Sequence, residues 1–247
     1  MKKVMLASGL MLAAPLASAD FLGVYAGAGQ WQSDYSGVIG DANNDIDVNE
    51  LGLNESDNNF FYVAFEHPIP LLPNVRLQHT DLSSSQSATI VDTFTLDGET
   101  FTPGEVATDV DLTHIDGTLY YELLDNWVSF DLGLTIRKFD GYVQAESETV
   151  GNSQNVVLDE AIPMVYGKAR FDLPLTGLSV GGQANVINYD DNSLSDMSVN
   201  VAYDFIDSMA LDLGIEVGYR QMNLEINEDV TADVELSGPY ASLNLHF

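Results

Sequence analysis

The stretch Tyr240-Ala241-Ser242-Leu243-Asn244-Leu245-His246-Phe247, at the end of the chain, decides the fold class. Ala241, Leu243, Leu245 and Phe247 are apolar, whereas the residues between them are polar or amphipathic. Successive side chains of a β-strand point to opposite faces, so this period of two predicts a strand with one apolar face. The last strand of a membrane barrel needs such a pattern, because it must pair with the first strand and leave no unpaired backbone in lipid.

The same alternation recurs through the chain, and after residue 19 no apolar run approaches the ~20 residues that a spanning helix needs. In the clearest copy, Trp127–Arg137, every even-numbered residue is apolar. The other predicted strands are Leu22–Gln30, Phe61–Phe65, Val75–Thr80, Val110–Tyr121, Val165–Phe171, Leu178–Val186, Met197–Phe205 and Met209–Arg220. The pattern changes phase near His114 and again at Gly238-Pro239, which we interpret as β-bulges.

The connections between these segments alternate in length. Short ones are predicted at His67–Pro73, Leu123–Asn126, Leu173–Gly177 and Ile206–Ser208. Longer polar ones are predicted at Tyr35–Asn58, Ser83–Glu105, Glu146–Glu160, Asp190–Ser193 and Asn227–Thr231. Short turns on one side and long loops on the other are typical of bacterial membrane barrels. The sequence therefore predicts an all-β protein, an antiparallel up-and-down transmembrane β-barrel of about ten strands; eight or twelve strands stay open, because residues 80–110 are poorly patterned.

The polar faces and the aromatic residues favour a membrane barrel over the alternative, a secreted or periplasmic β-sandwich. The polar faces carry Gly, Ser, Asn and Thr with isolated charges, as a narrow interior requires. Aromatic residues near the short turns are Phe65, Trp127, Phe171, Tyr203, Phe205 and Phe247, and those toward the long loops are Trp31, Tyr35, Phe139, Tyr142, Tyr189 and Tyr219. Two such bands predict aromatic girdles at the two membrane interfaces.

The beginning of the chain has the features of a secretory signal peptide. Lys2 and Lys3 precede the apolar run Val4–Leu16, and Ala17-Ser18-Ala19 forms a small-x-small cleavage site. We therefore expect residues 1–19 to be removed after export through the Sec pathway, and residues 20–247 to form the barrel. The sequence contains no Cys, which excludes disulfides, thiolate metal sites, thiol catalysis and a lipid anchor on Cys.

The charge balance is strongly acidic. Without residues 1–19 the chain keeps six basic residues against 38 acids, a formal charge of −32. Such a protein repels nucleic acid and anionic membrane faces and attracts counter-cations. The 45% share of hydrophobic residues argues against disorder. Because the acids cluster between the apolar segments, we expect most of them in external loops.

Several stretches resemble small integral outer-membrane β-barrel proteins of Gram-negative bacteria, of the gammaproteobacterial type, and more distantly the OmpW and OmpA barrels. They are Asp20–Tyr25, Tyr120–Asp125, Asp131–Leu134, Ile162-Pro163-Met164, Gly167–Phe171 and the terminal Phe247. The resemblance implies an outer-membrane location, with outer-membrane lipid and lipopolysaccharide as surroundings. It also implies that the barrel assembly machinery recognises Leu243, Leu245 and Phe247. It implies no established activity.

Of the six basic residues after residue 19, all except Lys138 fall on the predicted polar strand faces, where a charge in a narrow lumen is costly unless it is paired. The sequence therefore predicts an interior ion network of Arg76, Asp116, Asp131, Arg137, Lys168, Arg170, Glu216 and Arg220. Asp131 and Lys168 form the best single pair, because each lies about four residues above its turn on neighbouring strands. A salt-bridged plug is the main interpretation, and a charged constriction in a narrow pore for small solutes or ions is the alternative.

An acidic segment in the first long loop is a candidate for binding divalent cations. Asp41, Asn43, Asp45, Asp47 and Glu50 supply spaced oxygen ligands that suit Ca²⁺ or Mg²⁺. The segment departs from an EF-hand loop, since Ile46 occupies the position of the required Gly and Gly52 that of the final Glu. A solvated acidic loop is the default interpretation, and either one allows divalent ions to be shared with lipopolysaccharide phosphates.

An enzyme in the barrel wall is a further alternative. It would require a base and its partners near the outer rim, but His67 lies in a short turn, His79 and His114 lie in mid-strand, and His246 lies at the other end. We therefore expect a non-enzymatic protein without a cofactor. Its expected role is structural or at the cell surface, with a largely plugged lumen and acidic external loops.

Overall fold

The computed structural model describes residues 22–42, 44–147, 149–206, 208, 211–228 and 230–247. The expected signal peptide, residues 1–19, and the loop candidate Asn43 lie outside these residues, so the signal peptide stays a prediction. The described part of the chain is all-β. It contains no helix that is long and apolar enough to cross a membrane.

Ten strands form the predicted closed antiparallel barrel. They are β1 (Gly23–Asp41), β3 (Glu55–Glu66), β4 (Asn74–Thr80), β9 (His114–Leu124), β10 (Val128–Phe139), β13 (Ala161–Leu173), β14 (Leu178–Tyr189), β15 (Asn192–Ile206), β16 (Asp212–Asn227) and β17 (Thr231–His246). Each strand pairs with its neighbours in this order, and β17 pairs with β1 from Tyr25↔His246 to Gly40↔Thr231. The up-and-down prediction of about ten strands is confirmed.

Seven shorter strands lie among the long connections. They are β2 (Asn44–Asp47), β5 (Ser83–Ile90), β6 (Phe94–Leu96), β7 (Glu99–Phe101), β8 (Gly104–Asp111), β11 (Gly141–Ser147) and β12 (Ser153–Leu158). In the four-stranded sheet β12-β11-β8-β5, each strand continues one of the barrel strands β13, β10, β9 and β4 in the same order. We call this side of the barrel the loop end, and the side with residues 67–73, 125–127, 174–177, 208 and 211 the turn end.

The long polar connections predicted at Tyr35–Asn58, Ser83–Glu105 and Glu146–Glu160 therefore contain strands that the sequence did not predict. β1 continues to Asp41, and the other two segments contain most of the upper sheet and the β6–β7 hairpin. These segments fold because they contribute apolar side chains to one interior, including Ile90, Phe94, Leu96 and Phe101, which are at most 1% exposed. The apolar residues are too widely spaced in the sequence to give a continuous period of two.

The polarity of the two faces of the barrel wall is exchanged between the turn end and the loop end, as β16 shows. Outward side chains are Ile215, Val217 and Tyr219 toward the turn end, and Gln221, Asn223 and Glu225 toward the loop end. The inward face changes in the opposite sense, from Glu216 and Arg220 to the buried Met222 and Leu224. An apolar exterior suits lipid and a polar exterior suits water, so the wall has a lipid-compatible half and a water-compatible half.

This inversion also explains the changes of phase that we interpreted as bulges. β17 keeps one register with β16 through Tyr219↔Pro239 and Arg220↔Gly238, and only the polarity of its faces exchanges there. Near His114 the chain passes from β8 in the upper sheet to β9 in the barrel. The bulge interpretation is wrong at both places; the ladders shift register at Phe130/Asp131 and at Asp204/Ile206 instead.

Only one of the two predicted aromatic girdles has outward-facing side chains throughout. Phe65, Trp127, Phe171, Tyr203, Phe205 and Phe247 are between 39% and 59% exposed at the turn end. Of the second group, Tyr142, Tyr189 and Tyr219 are exposed, but Trp31, Tyr35 and Phe139 are at most 4% exposed and lie in the interior. The prediction of a second girdle is therefore wrong for these three residues. They face inward, and in the loop-end half of the barrel the inward face is the apolar one.

Candidate functional site: the barrel interior

The loop-end half of the barrel is filled by a hydrophobic core that extends into the connecting segments. Trp31 and Tyr35 of β1 join Met222 and Leu224 of β16 there. Segments outside the barrel close over them with Ile46, Val48, Leu51, Leu53, Leu82, Ile90, Phe94, Leu96 and Phe101, all at most 4% exposed. The connecting segments thus act as a lid whose inner surface is continuous with the barrel core.

Directly below this core lies a buried ion network of four side chains. Arg137 donates two hydrogen bonds to Asp116, at 2.8 Å from Nε and 2.7 Å from Nη2. Its Nη2 also donates to Asp196 Oδ2 at 2.6 Å. Arg220 donates to the two oxygens of Asp196 at 2.8 and 2.7 Å. All four residues are at most 6% exposed, so water contributes little to their solvation.

The network is balanced in charge and crosses the lumen. Asp116 and Arg137 lie on the adjacent strands β9 and β10, and Asp196 and Arg220 lie on the adjacent strands β15 and β16. The bond between Arg137 and Asp196 joins the two pairs across the barrel. Trp31 covers Arg220, with the guanidinium carbon 4.6 Å from the ring centroid, a cation–π contact. Paired and hydrogen-bonded in this way, the four charges avoid the cost of isolated buried ions.

His114 lies beside this network and makes the group resemble a metal site. His114, Asp116 and Asp196 each place one possible ligand atom within 4.8 Å of the others, the one such group of three among the described residues. Both carboxylates already accept hydrogen bonds from arginines, so a divalent cation would sit against two guanidinium groups. His114 Nδ1 donates to the carbonyl of Leu112 at 2.8 Å. The donor set therefore fits an ion network and not a metal ion.

The turn-end half contains a polar cavity of about 320 Å³, which we call the cup. Lys168 and Asp131 line it and are directly paired across β13 and β10. Their Nζ–Oδ2 distance is 4.0 Å, longer than a hydrogen bond, and the Lys168 side chain is 38% exposed. Arg170 has closer partners, because it donates to Asp172 at 2.7 Å and to Asp204 at 3.0 Å.

The remaining predicted network residues also line the cup. Arg76 donates to Gln78 at 2.9 Å and stacks on Tyr62, with its guanidinium carbon 3.7 Å from the ring centroid. Glu216 accepts hydrogen bonds from Tyr240 at 2.6 Å and from Asn244 at 3.4 Å. The eight predicted residues thus all face the interior, but they do not form one continuous network. Asp116, Arg137 and Arg220 belong to the buried network with Asp196, which we call the dry network, and the others line the polar cup.

Sequence reasoning missed Asp196, which joins the two halves of the dry network. Its signal was present, because Asp196 continues the inward face of Ser198 and Asn200 by one more step of two. The predicted strand begins at Met197 and the predicted loop ends at Ser193, so Asp196 belongs to neither, whereas in the structure β15 already begins at Asn192. The Asp–Arg bond across the lumen has no local sequence signal, since β10 and β15 are separated by two other barrel strands.

Of the acidic loop candidates, the four that the structure describes, Asp41, Asp45, Asp47 and Glu50, form no group of ligand atoms that could hold a metal ion. The Asp41 carboxylate accepts hydrogen bonds from the backbone nitrogens of Asp97 and Gly98 at 2.7 and 2.9 Å, so it anchors the β6–β7 hairpin. Asp47 accepts two hydrogen bonds from Asn49 at 2.9 Å in a local turn. Asp45 and Glu50 are exposed. These placements fit structural turns and a solvated surface.

The three residues of the expected assembly signal lie at the seam of the barrel, where the last strand, β17, pairs with the first, β1. Leu243 and Phe247 point outward with 56% and 54% exposure, and Leu245 is half-buried. The backbone of Phe247 exchanges two hydrogen bonds with Val24, at 2.9 and 3.0 Å. The last residue therefore extends the closing ladder between β17 and β1.

The four histidines lie at separate places. His67 contacts the carbonyl of Pro73 in a turn, and His79 packs against Phe61 on the outer face. His114 is buried, while His246 stacks on Tyr25 at 4.1 Å and lies 3.1 Å from Asp212 at the turn end.

No family model and no curated protein matches the chain. Among solved structures, the outer membrane protease OmpT from Escherichia coli is 12% identical over 93% of this chain and 97% of its own, with a TM-score of 0.47. A FadL homologue from Pseudomonas aeruginosa is 8% identical over 92% of this chain and 90% of its own, with a TM-score of 0.40. The toluene transporter TodX from P. putida is 9% identical over 92% of this chain and 89% of its own, with a TM-score of 0.30. The similarity concerns fold alone.

Proposed function

We propose that the protein is an integral outer-membrane β-barrel with a structural or surface role and a lumen closed at the loop end. The apolar belt around the turn-end half carries this proposal. On β10, the outward residues Phe130, Leu132, Leu134 and Ile136 are 37% to 64% exposed. A contiguous apolar band of this kind is stable in lipid but would drive aggregation in water.

The height of the belt supports a membrane location. A transmembrane β-strand needs about 9–11 tilted residues, and the outward apolar positions of β15 run from Met197 to Phe205. Above the belt, outward side chains such as Asp233 and Glu235 are charged. A soluble β-sandwich would instead bury one face of every sheet against another sheet.

The fold supports an orientation with the turn end in the periplasm and the loop end outside, as in bacterial barrels with short periplasmic turns. The acidic upper wall would then face the cell exterior, among lipopolysaccharide phosphates. Divalent cations shared between these phosphates and the carboxylates are the partners that the charge favours, and nucleic acid is disfavoured. The seam residues Leu243, Leu245 and Phe247 would be read by the assembly machinery.

The proposal of a plug instead of a narrow pore rests on the hydrophobic lid and the dry network below it. Both would have to move before an ion could cross, and the network holds its members by charge-assisted hydrogen bonds of 2.6 to 2.8 Å. Single-channel recording in planar bilayers tests this. We expect no unitary conductance from the wild type, whereas ion-conducting steps whose selectivity changes with Arg137→Gln would establish the pore.

We propose further that the barrel is not an enzyme. The described residues place no histidine in a cluster with Ser and Asp at the loop end, where an external substrate would arrive. The pair of His246 and Asp212 lies at the opposite end. A hydrolase inhibitor that labelled the purified barrel covalently, at one serine, would overturn this part.

Cell fractionation tests the location. The protein should be recovered with outer membranes and should migrate differently on gels before and after boiling, because closed barrels resist detergent unfolding. Recovery as a soluble periplasmic protein would contradict the proposal, even if the barrel were folded.

A further inference from the structure

The cup has a strong excess of negative charge and lies at the turn end, beneath the dry network. Nine carboxylates line it against four Lys and Arg side chains, counted over the described residues. Several of the carboxylates lie at the turn-end limits of the strands, among them Glu66, Glu122, Asp172, Asp204 and Asp212. Carboxylates at a concave opening with low-dielectric walls concentrate cations there.

One carboxylate in the cup is buried and not satisfied. Asp131 is 4% exposed, and its Oδ1 has no hydrogen-bond partner. The nearest cation, Lys168 Nζ, is 4.0 Å from the other oxygen, Oδ2. A buried carboxylate without a donor is destabilising, so native proteins supply one from the chain, from water or from a ligand.

Other carboxylates of the cup have donors from the protein itself. Glu66 accepts from Tyr120 Oη at 2.7 Å, and Glu122 accepts from Asn74 Nδ2 at 3.1 Å. Asp172 and Asp204 share Arg170. Asp131 therefore differs from its neighbours, and it is the position where a bound cation with N–H donors would gain most.

We propose that the cup binds a linear aliphatic polyamine, with one ammonium group on Asp131 and the others among the carboxylates at the opening. An ammonium supplies both the missing donors and the positive charge that the cup lacks. A single metal ion fits less well, because the carboxylates of the cup form no group of three ligand atoms within 4.8 Å among the described residues. A volume of about 320 Å³ and walls that include Tyr25 and Phe60 suit an extended aliphatic chain.

The polyamine site requires the folded barrel but not the proposed outer-membrane role, so an experiment can contradict one proposal without contradicting the other. The test is calorimetric titration of the refolded full chain, in uncharged detergent micelles, with the triamine spermidine. The variant Asp131→Asn removes the unsatisfied charge. The matched control Asp233→Asn makes the same change of charge on the exposed outer face of β17.

We expect one spermidine per barrel and an approximately ten-fold higher Kd for Asp131→Asn, which corresponds to ~1.4 kcal/mol, with an unchanged Kd for Asp233→Asn. No binding by the wild type, equal Kd values for all three proteins, or an equal loss in both variants would overturn the proposal. Equal loss would mean that only the ion atmosphere attracts the amine. Displacement by Mg²⁺ at equal ionic strength, with one ion bound per barrel, would overturn the choice of polyamine over metal.

A second variant keeps the test independent of whether Asp131→Asn folds. Lys168→Met removes the cation that competes for Asp131, so it should tighten spermidine binding, by about three-fold. If Lys168 only supports the fold, its loss would weaken binding or leave it unchanged, and either result would count against the site. Gel migration before and after boiling confirms that each variant is folded.

Discussion

Replacing Asp196 with Ala removes the carboxylate that the two buried arginines share. Arg220 would lose both of its hydrogen bonds to Asp196, at 2.8 and 2.7 Å, and among the described residues would keep its cation–π contact with Trp31. Arg137 would lose one hydrogen bond at 2.6 Å but would keep its two bonds to Asp116. The substitution therefore leaves one guanidinium buried without an anion.

Breaking a buried ion pair by removing one partner costs about 3–5 kcal/mol, and the side chains of Asp196 and Arg220 are each only 7% exposed. We expect Asp196→Ala to lower the free energy of unfolding by that amount. Adding Arg220→Met should recover part of the loss, because it removes the stranded charge and contacting residues are not additive.

Asp204→Ala is the matched control on the same strand and the same inward face. Asp204 also binds an arginine, Arg170, but the two side chains are 30% and 38% exposed, and Arg170 keeps Asp172 as a second partner. A solvated pair of this kind is worth about 0–1 kcal/mol. Both substitutions thus remove an aspartate that binds an arginine, and they differ in how deeply that ion pair is buried.

The assay is reversible denaturant unfolding of the refolded barrel in detergent micelles or lipid vesicles, followed by Trp fluorescence. Losses of equal size for Asp196→Ala and Asp204→Ala would refute the reasoning. So would a loss below about 1 kcal/mol for Asp196→Ala, since either result would mean that the dry network is solvated.

Three further predictions follow from the same geometry. Lys168→Ala should lower the free energy of unfolding by only about 0–1 kcal/mol, and the double-mutant cycle with Asp131→Ala should be close to additive, because the two charged atoms are 4.0 Å apart and Lys168 is 38% exposed. Leu134→Arg should destabilise the barrel in lipid vesicles by about 2–4 kcal/mol, whereas Asp233→Arg above the belt should be nearly neutral; similar effects would misplace the belt. Deleting Phe247 should leave the protein unassembled and open to periplasmic proteolysis, and normal assembly of the variant would contradict the role of the seam.

The small predicted effect of Lys168→Ala revises what the sequence alone would give. If Lys168 and Asp131 formed a buried salt bridge, the loss of one partner would be several kcal/mol. Counting residues from the turns placed the two side chains opposite each other correctly. It gave neither the distance between their charged atoms nor the solvent exposure of Lys168, because both depend on how wide the lumen is at that level.

The sequence by itself predicted a barrel of about ten strands and the residues that face inward in its turn-end half, because a period of two fixes the parity of every side chain on a strand. This is why Arg76, Arg137, Lys168, Arg170 and Arg220 are all found inside. The parity holds through Gly238-Pro239 as well, where polarity changes but register does not.

Only the tertiary structure decided how high the lipid-compatible wall reaches and which charges meet. Trp31 and Phe139 became core residues because segments distant in sequence close over the loop end of the barrel. Arg137 meets Asp196 because their side chains reach each other through the lumen from β10 and β15, which have two other strands between them in the wall. Strand periodicity is a local property of the backbone, whereas a contact across the lumen depends on the curvature and closure of all ten strands together.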